Sequence, residues 1–438
     1  MHPFAQYSQY LESLYLESKL NGFNSDRTRA IKLSLDGQPN RLLELCVDLN
    51  IRRDSGAFFT GSRLRADLLE PFLQQISTGR MRAIDPACGA GDLLLEYAKY
   101  LPTRETLSET IEFWSTLLAG FDIHKQFVET AKVRLLLLAM SRTRAFDFCL
   151  DSLNDSLQKI RTSNFLNQKS KSIDADIILI NPPFQLVSTG TRFKWGKGLA
   201  SNAAVFVDRC ITKSNFGTKI AAILPDVLRT GSRYVKWREM VQKYCQIDGI
   251  QIDGRFSTLA DVDVFRLYLT VGAPHISAGT DWWRIGKQAS SRIKKTREAF
   301  EVHVGPVVPH RHPRKGTLLP YLDTRCTPPG KVLKKLSKTR RFQGRTFCPP
   351  FVVLRRTSNP SDSNRLQPSL VPRGGPTAIE NHLLVMLPKS GLIKDCRALM
   401  SFLKSEQARN WINTRIRCRH LTTVAVGDLP LPKRLFKP

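Results

Sequence analysis

Met81-Arg82-Ala83-Ile84-Asp85-Pro86-Ala87-Cys88-Gly89-Ala90-Gly91-Asp92-Leu93-Leu94-Leu95 reads as a short strand, a glycine-bearing turn and the start of a helix. Gly89 and Gly91 permit backbone angles closed to other residues and let the main chain approach a ligand closely. At the carboxyl edge of a first strand, that is where doubly wound sheets hold nucleotide-like ligands. The glycine pair alone discriminates poorly, because many tight turns need the same residues. The third glycine of the dinucleotide fingerprint is missing and no Gly-Lys-Ser/Thr follows, so neither a dinucleotide nor a phosphate-loop site is indicated.

Outward from this loop, short apolar runs alternate with helical patterns from about residue 80 to 272. The runs are Ala83-Ile84, 117–121, 145–150, Ile177-Ile178-Leu179-Ile180, 220–224, 247–252 and 265–271. The rhythm predicts an α/β, doubly wound, Rossmann-like sheet over residues 51–275. Asp122, in Ala119-Gly120-Phe121-Asp122-Ile123, is expected at the end of the second strand, where a carboxylate accepts hydrogen bonds from ribose hydroxyls. It lies farther beyond the glycines than the ~20 residues of the dinucleotide version, which makes 101–113 a lengthened connection. Cys149-Leu150-Asp151-Ser152-Leu153 reads as a third strand end, with Asp151 placed to accept from an adenine amino group.

The apolar strand 177–180 runs directly into Asn181-Pro182-Pro183-Phe184. An adenine amine is a poor nucleophile because its lone pair is delocalised into the ring. Two acceptors aimed at its hydrogens, the Asn181 side-chain oxygen and the Pro182 carbonyl, would draw the nitrogen toward tetrahedral character and stabilise the developing positive charge. Neither has to be a strong base. Two prolines preorganise the main chain, and Phe184 offers a flat face to an extruded base. A base inside a duplex cannot reach a buried methyl donor, so this chemistry requires flipping.

The chain has 438 residues, with 67 Lys and Arg against 38 Asp and Glu, a formal charge of +29. That excess points to a polyanionic partner, while 42% hydrophobic residues are enough for real cores. Residues 1–50 carry apolar residues at helical spacing and form a helical N-terminal segment. After about 273 the texture turns Pro-rich and basic, and returns to helical periodicity over 392–416. We read 285–438 as a second, irregular α+β domain whose basic residues suit a polyanionic partner. The nine cysteines are scattered without a Cys-x-x-Cys pair, and His310-Arg311-His312 has no acidic or cysteine partner close by, so no metal is expected. The N-terminus lacks a signal-peptide pattern, and no apolar stretch approaches ~18 residues, so no membrane association and a cytoplasmic location are expected.

The motifs resemble those of a known family. Asp85 to Leu93 is similar to the cofactor motif of amino-group adenine DNA methyltransferases, and Asn181-Pro182-Pro183-Phe184 to their catalytic motif. Gly56-Ala57-Phe58-Phe59-Thr60 resembles the segment preceding the cofactor motif in the gamma-ordered subgroup, which includes type I modification subunits and many type II enzymes. The similarity extends through Ala131-Lys132-Val133-Arg134-Leu135, Asp151-Ser152-Leu153, Val205-Phe206-Val207-Asp208-Arg209 and Ile223-Leu224-Pro225-Asp226. It implies S-adenosylmethionine as cofactor. Phe58, Phe59 and Thr60 would close over its methionine end, Asp85 would meet its amino group, and Asp122 with Ile123 its ribose. Ala87, Gly89 and Gly91 would form the loop, and Asp151 with Ser152 would flank the adenine. The family's proline after Phe-Phe-Thr is replaced by Gly61-Ser62.

The resemblance implies site-specific methylation of double-stranded DNA at adenine N6 in a restriction-modification or related defence system. A separate restriction endonuclease or specificity subunit is the implied partner, since no Pro-Asp...Glu-x-Lys nuclease cluster is present. Two other readings fit the residues: methylation of RNA adenine or a protein glutamine, and a non-catalytic DNA-binding or specificity component. The basic loop Arg192-Phe193-Lys194-Trp195-Gly196-Lys197 reads either as a phosphate contact or as a solvated loop.

Overall fold

The computed structural model describes residues 2–46, 60–168, 172–190, 193–196, 198–256, 262–272, 294–358, 362, 364–417 and 419–432. They divide into two compact units, Met1–Leu228 with Arg233–Thr280, and Arg229–Ser232 with Asp281–Pro438.

In the first unit, strands β1 (Ala83–Asp85), β2 (Leu118–Asp122), β3 (Ile160–Thr162) and β4 (Ile177–Ile180) are followed by a hairpin of β5 (Leu186–Ser188) and β6 (Leu199–Ser201). Then come β7 (Lys219–Pro225), β8 (Cys245–Arg255) and β9 (Asp263–Val271). The sheet order is β3-β2-β1-β4-β7-β9-β8. The first five of these are parallel, and β9 runs antiparallel to both β7 and β8. Ile84 of β1 pairs with Ala119 on one side and Ile178 on the other. The chain therefore winds outward from β1 through β2 to β3, then returns to β4 on the opposite side, which opens a crevice at the carboxyl ends of β1 and β4. β4 is buried on both faces, as its unbroken apolar run requires of a central parallel strand.

The stretch read as a lengthened connection is largely the Leu107–Leu117 helix, begun by a capping box between Thr106 and Glu109. The Lys125–Met140 helix is buried over most of its surface because the N-terminal helices His2–Asn21 and Ser25–Leu35 pack against it. The N-terminal helices thus belong to the first unit. This packing also corrects one strand. The apolar run 145–150 forms no sheet strand; Phe148 is buried and its carbonyl accepts hydrogen bonds from Tyr15 Oη and Lys19 Nζ, both at 2.7 Å. Residues Leu150–Ser152 form a short 3-10 turn, and the third strand of the sheet is Ile160–Thr162.

The second unit is more regular than its prolines suggest. β10 (Phe300–Val304), β13 (Phe351–Arg355), β14 (Pro368–Val371) and β16 (Leu383–Pro388) form an antiparallel sheet in the order β10-β16-β13-β14. β12 (Thr339–Phe342), β11 (Thr317–Leu322) and β15 (Ala378–Ile379) form a smaller one. The Ile393–Leu403 and Glu406–Arg415 helices bury Leu399, Leu403 and Ile412 with Val352, Leu370 and Met386 of the larger sheet. Among the described residues no helix is long and apolar enough to cross a membrane.

Candidate active site

The glycine loop is held by its own main chain. Ala87 N donates to Asp85 Oδ1 at 3.0 Å, Cys88 N to the Phe121 carbonyl at 2.8 Å, and Gly89 N to Asp122 Oδ2 at 3.0 Å. Gly89 and Gly91 both have positive φ, 51° and 88°. Gly91 is required twice over, since a Cβ there would lie 2.8 Å from Ala131 Cβ on the Lys125–Met140 helix. The turn leads into the Asp92–Ala98 helix, whose first residue is buried against Arg134 at 2.9 Å and Arg65 at 3.4 Å.

A cleft opens at the carboxyl ends of β1 to β4. Thr60, Asp85, Ala87, Gly89, Asp122, Ile123, Asn181 and Pro183 line it together. Ile123 is 60% exposed at its edge although apolar. Asp85 is buried, and burial, with Asp122 and Asp92 nearby, pushes its carboxyl up to about 8. Burial also raises Asp122, opposed by the amides of His124 and Gly89 that it accepts from.

At the end of β4, Asn181 Nδ2 donates to Thr60 Oγ1 at 2.9 Å, while Asn181 Oδ1 is buried with no hydrogen-bond partner among the described residues. A buried acceptor without a donor costs about 1–3 kcal/mol, so an N–H group that reached it would be favoured there. Pro182 is buried beside it, and Phe184 meets Phe256 edge to face at 5.6 Å.

The structure does not bring every expected residue to this cleft. Gly91, Pro182 and Phe184 adjoin it in sequence without forming its wall. Asp151 and Ser152 are exposed on the 3-10 turn and do not line it. The corresponding wall is made by Ser163, Asn164, Phe165 and Leu166, which follow the true third strand. Phe165 stacks on Phe206 at 6.1 Å with rings 13° apart. Sequence reading missed these residues because β3 carries one buried apolar residue, Ile160, followed by exposed Arg161 and Thr162. It also gave no role to Gln185, Asn202 and Phe206, which line the cleft as well. Phe58 and Phe59 lie outside the described residues, as do Arg192 and Lys197 of the basic loop; Trp195 of that loop is buried, donating to Asp208 at 3.0 Å.

Fold and cleft together define a Rossmann-like domain of the methyltransferase type. Residues 49–252 match the model of the N-6 DNA methylase family. No curated protein matches the chain. Among solved structures, the type IIL restriction-modification enzyme MmeI in complex with DNA is similar over 89% of this chain and 70% of its own, at 12% identity and a TM-score of 0.56, a likeness of fold. A modification subunit assigned to a type I restriction enzyme of Vibrio vulnificus YJ016 aligns over 57% of this chain at 21% identity and a TM-score of 0.40. The type IIG restriction endonuclease BpuSI aligns over 90% at 14% identity and a TM-score of 0.45. The chain spans about half the length of the Vibrio subunit, 51%, and 61% of BpuSI.

Proposed function

We propose that the first unit transfers a methyl group from S-adenosylmethionine to the exocyclic N6 of an adenine flipped out of double-stranded DNA. The observation that carries this reading is Asn181 Oδ1, a buried acceptor without a donor at the end of β4, in a cleft that also holds the Asp85 and Asp122 carboxylates. The cleft residues suit the cofactor. Asp85 would meet its ammonium group, Asp122 its ribose, and the apolar wall of Ile123, Phe165, Pro183 and Phe206 its adenine. When bound, S-adenosylmethionine supplies an electrophilic methyl carbon on a positively charged sulfur. Asn181 Oδ1 and the Pro182 carbonyl accept the two amine hydrogens of the target, orient its lone pair and stabilise the positive charge that forms on nitrogen. Phe184 gives the extruded ring a face to stack on.

DNA as the polyanion rests on the family match and the charge of +29. The restriction-modification role, with a separate restriction endonuclease or specificity subunit as partner, rests on the character of the structural relatives. The decisive experiment incubates the purified chain with S-adenosylmethionine and duplex DNA, then sequences the DNA for N6-methyladenine. Methylation of RNA or of a protein amide with none on DNA would overturn the substrate.

Residues 285–438 are proposed to choose the site. Phosphate contacts position a protein while base-edge contacts specify, and a pocket that sees one flipped base cannot read its neighbours. Exchanging 285–438 with a relative's counterpart is expected to change the methylated sequence and keep adenine as the base. An unchanged site would put specificity in the first unit or in another subunit.

The Asp85 carboxyl predicts a pH dependence. An acid whose folded-state pKa is raised holds its proton more tightly folded than unfolded, so its contribution to stability is full below the ordinary carboxylate range and is lost as pH rises through about 8. A cationic ligand beside Asp85 favours the ionised form. Binding of S-adenosylmethionine at about pH 7 should therefore release up to about one proton, and affinity should rise with pH toward about 8. Calorimetry in buffers of different ionisation enthalpy measures this release, and Asp85→Asn should remove it. Binding without proton release in the wild-type chain would place the cation elsewhere.

A further inference from the structure

We propose that Asn202 reads the amino group of the cofactor's adenine, the role that sequence had given to Asp151. The proposal rests on the cofactor reading above. Asn202 is the first residue of the Asn202–Lys213 helix, is 7% exposed, lines the cleft, and has a buried Oδ1 with no partner among the described residues. Its backbone N is committed, donating to the Gln185 carbonyl at 2.8 Å, so the helix start is fixed and the side chain is what remains for a ligand. Phe206 lies one turn along the same helix face, lines the same cleft and stacks on Phe165. An aromatic ring held in that apolar wall has polar groups only along its edge. The carboxamide one turn from Phe206 is placed to meet that edge.

Two other carboxamide oxygens of the cleft already have a bond or a role. Asn164 Oδ1 accepts from Leu166 N at 3.0 Å, and Asn181 Oδ1 faces the target amine in the reading above. Asp151, exposed on its 3-10 turn, is outside the wall. Gln185 Oε1 is also buried without a partner, and is the one rival acceptor of this kind in the lining. It follows the catalytic motif directly and is only half-buried, whereas Asn202 is nearly inaccessible. A buried acceptor that meets N–H in the right ligand, and a carbonyl in the wrong one, discriminates strongly because the mismatch leaves both groups unpaired.

The test compares S-adenosylhomocysteine with S-inosylhomocysteine, which carries a carbonyl where adenine has its amine, by calorimetric titration of the full chain. The wild type is expected to favour the adenosyl compound by about tenfold or more. Asn202→Leu should bring the two affinities within about threefold, chiefly by weakening the adenosyl compound. Asn202→Asp keeps an oxygen acceptor and should retain the preference. A wild-type protein that binds both compounds equally overturns the inference even if no variant folds. So does a folded Asn202→Leu that keeps the preference; if Gln185→Leu then loses it, Gln185 is the reader. Binding of neither compound by the wild type would instead remove the cofactor reading on which the inference stands.

Discussion

Asn181→Ala is expected to lower the rate of methyl transfer by at least about 10²–10³-fold while leaving affinity for S-adenosylmethionine and DNA within about threefold. The amine of adenine gains positive charge only as the new N–C bond forms. An acceptor that strengthens with that charge stabilises the transition state far more than the bound substrate, so its loss appears in turnover. The geometry fits such a role. Asn181 Oδ1 is buried and unpartnered, and its Nδ2 is held by Thr60 Oγ1 at 2.9 Å, which sets the carboxamide with its oxygen free. Thr60 is itself fixed, because its carbonyl accepts from the buried Arg65 guanidinium at 2.8 Å. Single-turnover transfer of labelled methyl, alongside equilibrium binding, separates the two quantities. A variant with undiminished turnover would end the catalytic assignment. Thr60→Val should show a smaller loss of the same kind, near the ~0.5–1.5 kcal/mol of one hydrogen bond, with Thr60→Ser restoring it.

The second large effect falls on stability. Arg134 is 0% exposed, and its guanidinium joins three parts of the chain: the Ser34 carbonyl of the N-terminal helices at 2.7 Å, the Ala90 carbonyl of the glycine loop, and Asp92 at 2.9 Å. Arg65 completes the group, meeting Asp36 at 3.1 Å, Asp92 at 3.4 Å and Glu96 at 3.6 Å. Breaking a buried pair from one side strands the other charge, at about 3–5 kcal/mol. Arg134→Met should therefore lower the unfolding free energy of the first unit by about that amount, and the loosened Ala90 should weaken cofactor binding as well. Replacing both partners, Arg134→Met with Asp92→Leu, should cost less than the single change, because no charge is left uncompensated. Chemical denaturation followed by tryptophan fluorescence, with Trp114 and Trp237 buried in this unit, measures both variants. A single variant as stable as the wild type would show that Asp92 is satisfied by Arg65 alone.

What sequence could show depended on whether a signal was local. β1, β2, β4, β7, β8 and β9 were legible because each is an apolar run of its own, and the glycine loop because its two glycines directly follow the first of these runs. Asp85, Asp122 and Asn181 stand at the ends of such runs, and the structure gathers them in one cleft. The third strand was misread for the same reason in reverse. The run 145–150 is apolar because Phe148 packs under the first helix, whereas Ile160–Thr162 has one buried side chain and is a strand only because Gly120, Phe121 and Asp122 offer it backbone partners. The wall residues Ser163 to Leu166 were lost with it.

The sequence by itself thus carried the α/β, Rossmann-like class of the first unit's sheet and the order of the motifs along it, since strand periodicity, glycine turns and proline geometry act over a few neighbouring residues. Tertiary structure alone decided which carboxamide oxygens have no donor among the described residues, which residue holds Asn181, and how Arg65 and Arg134 tie the N-terminal helices to the glycine loop. Thr60 and Asn181 are separated by 121 positions and Arg134 and Ser34 by 100. Hydrogen bonds of that span leave no periodic trace in a chain, because they exist only once burial has removed the water that would otherwise satisfy each group.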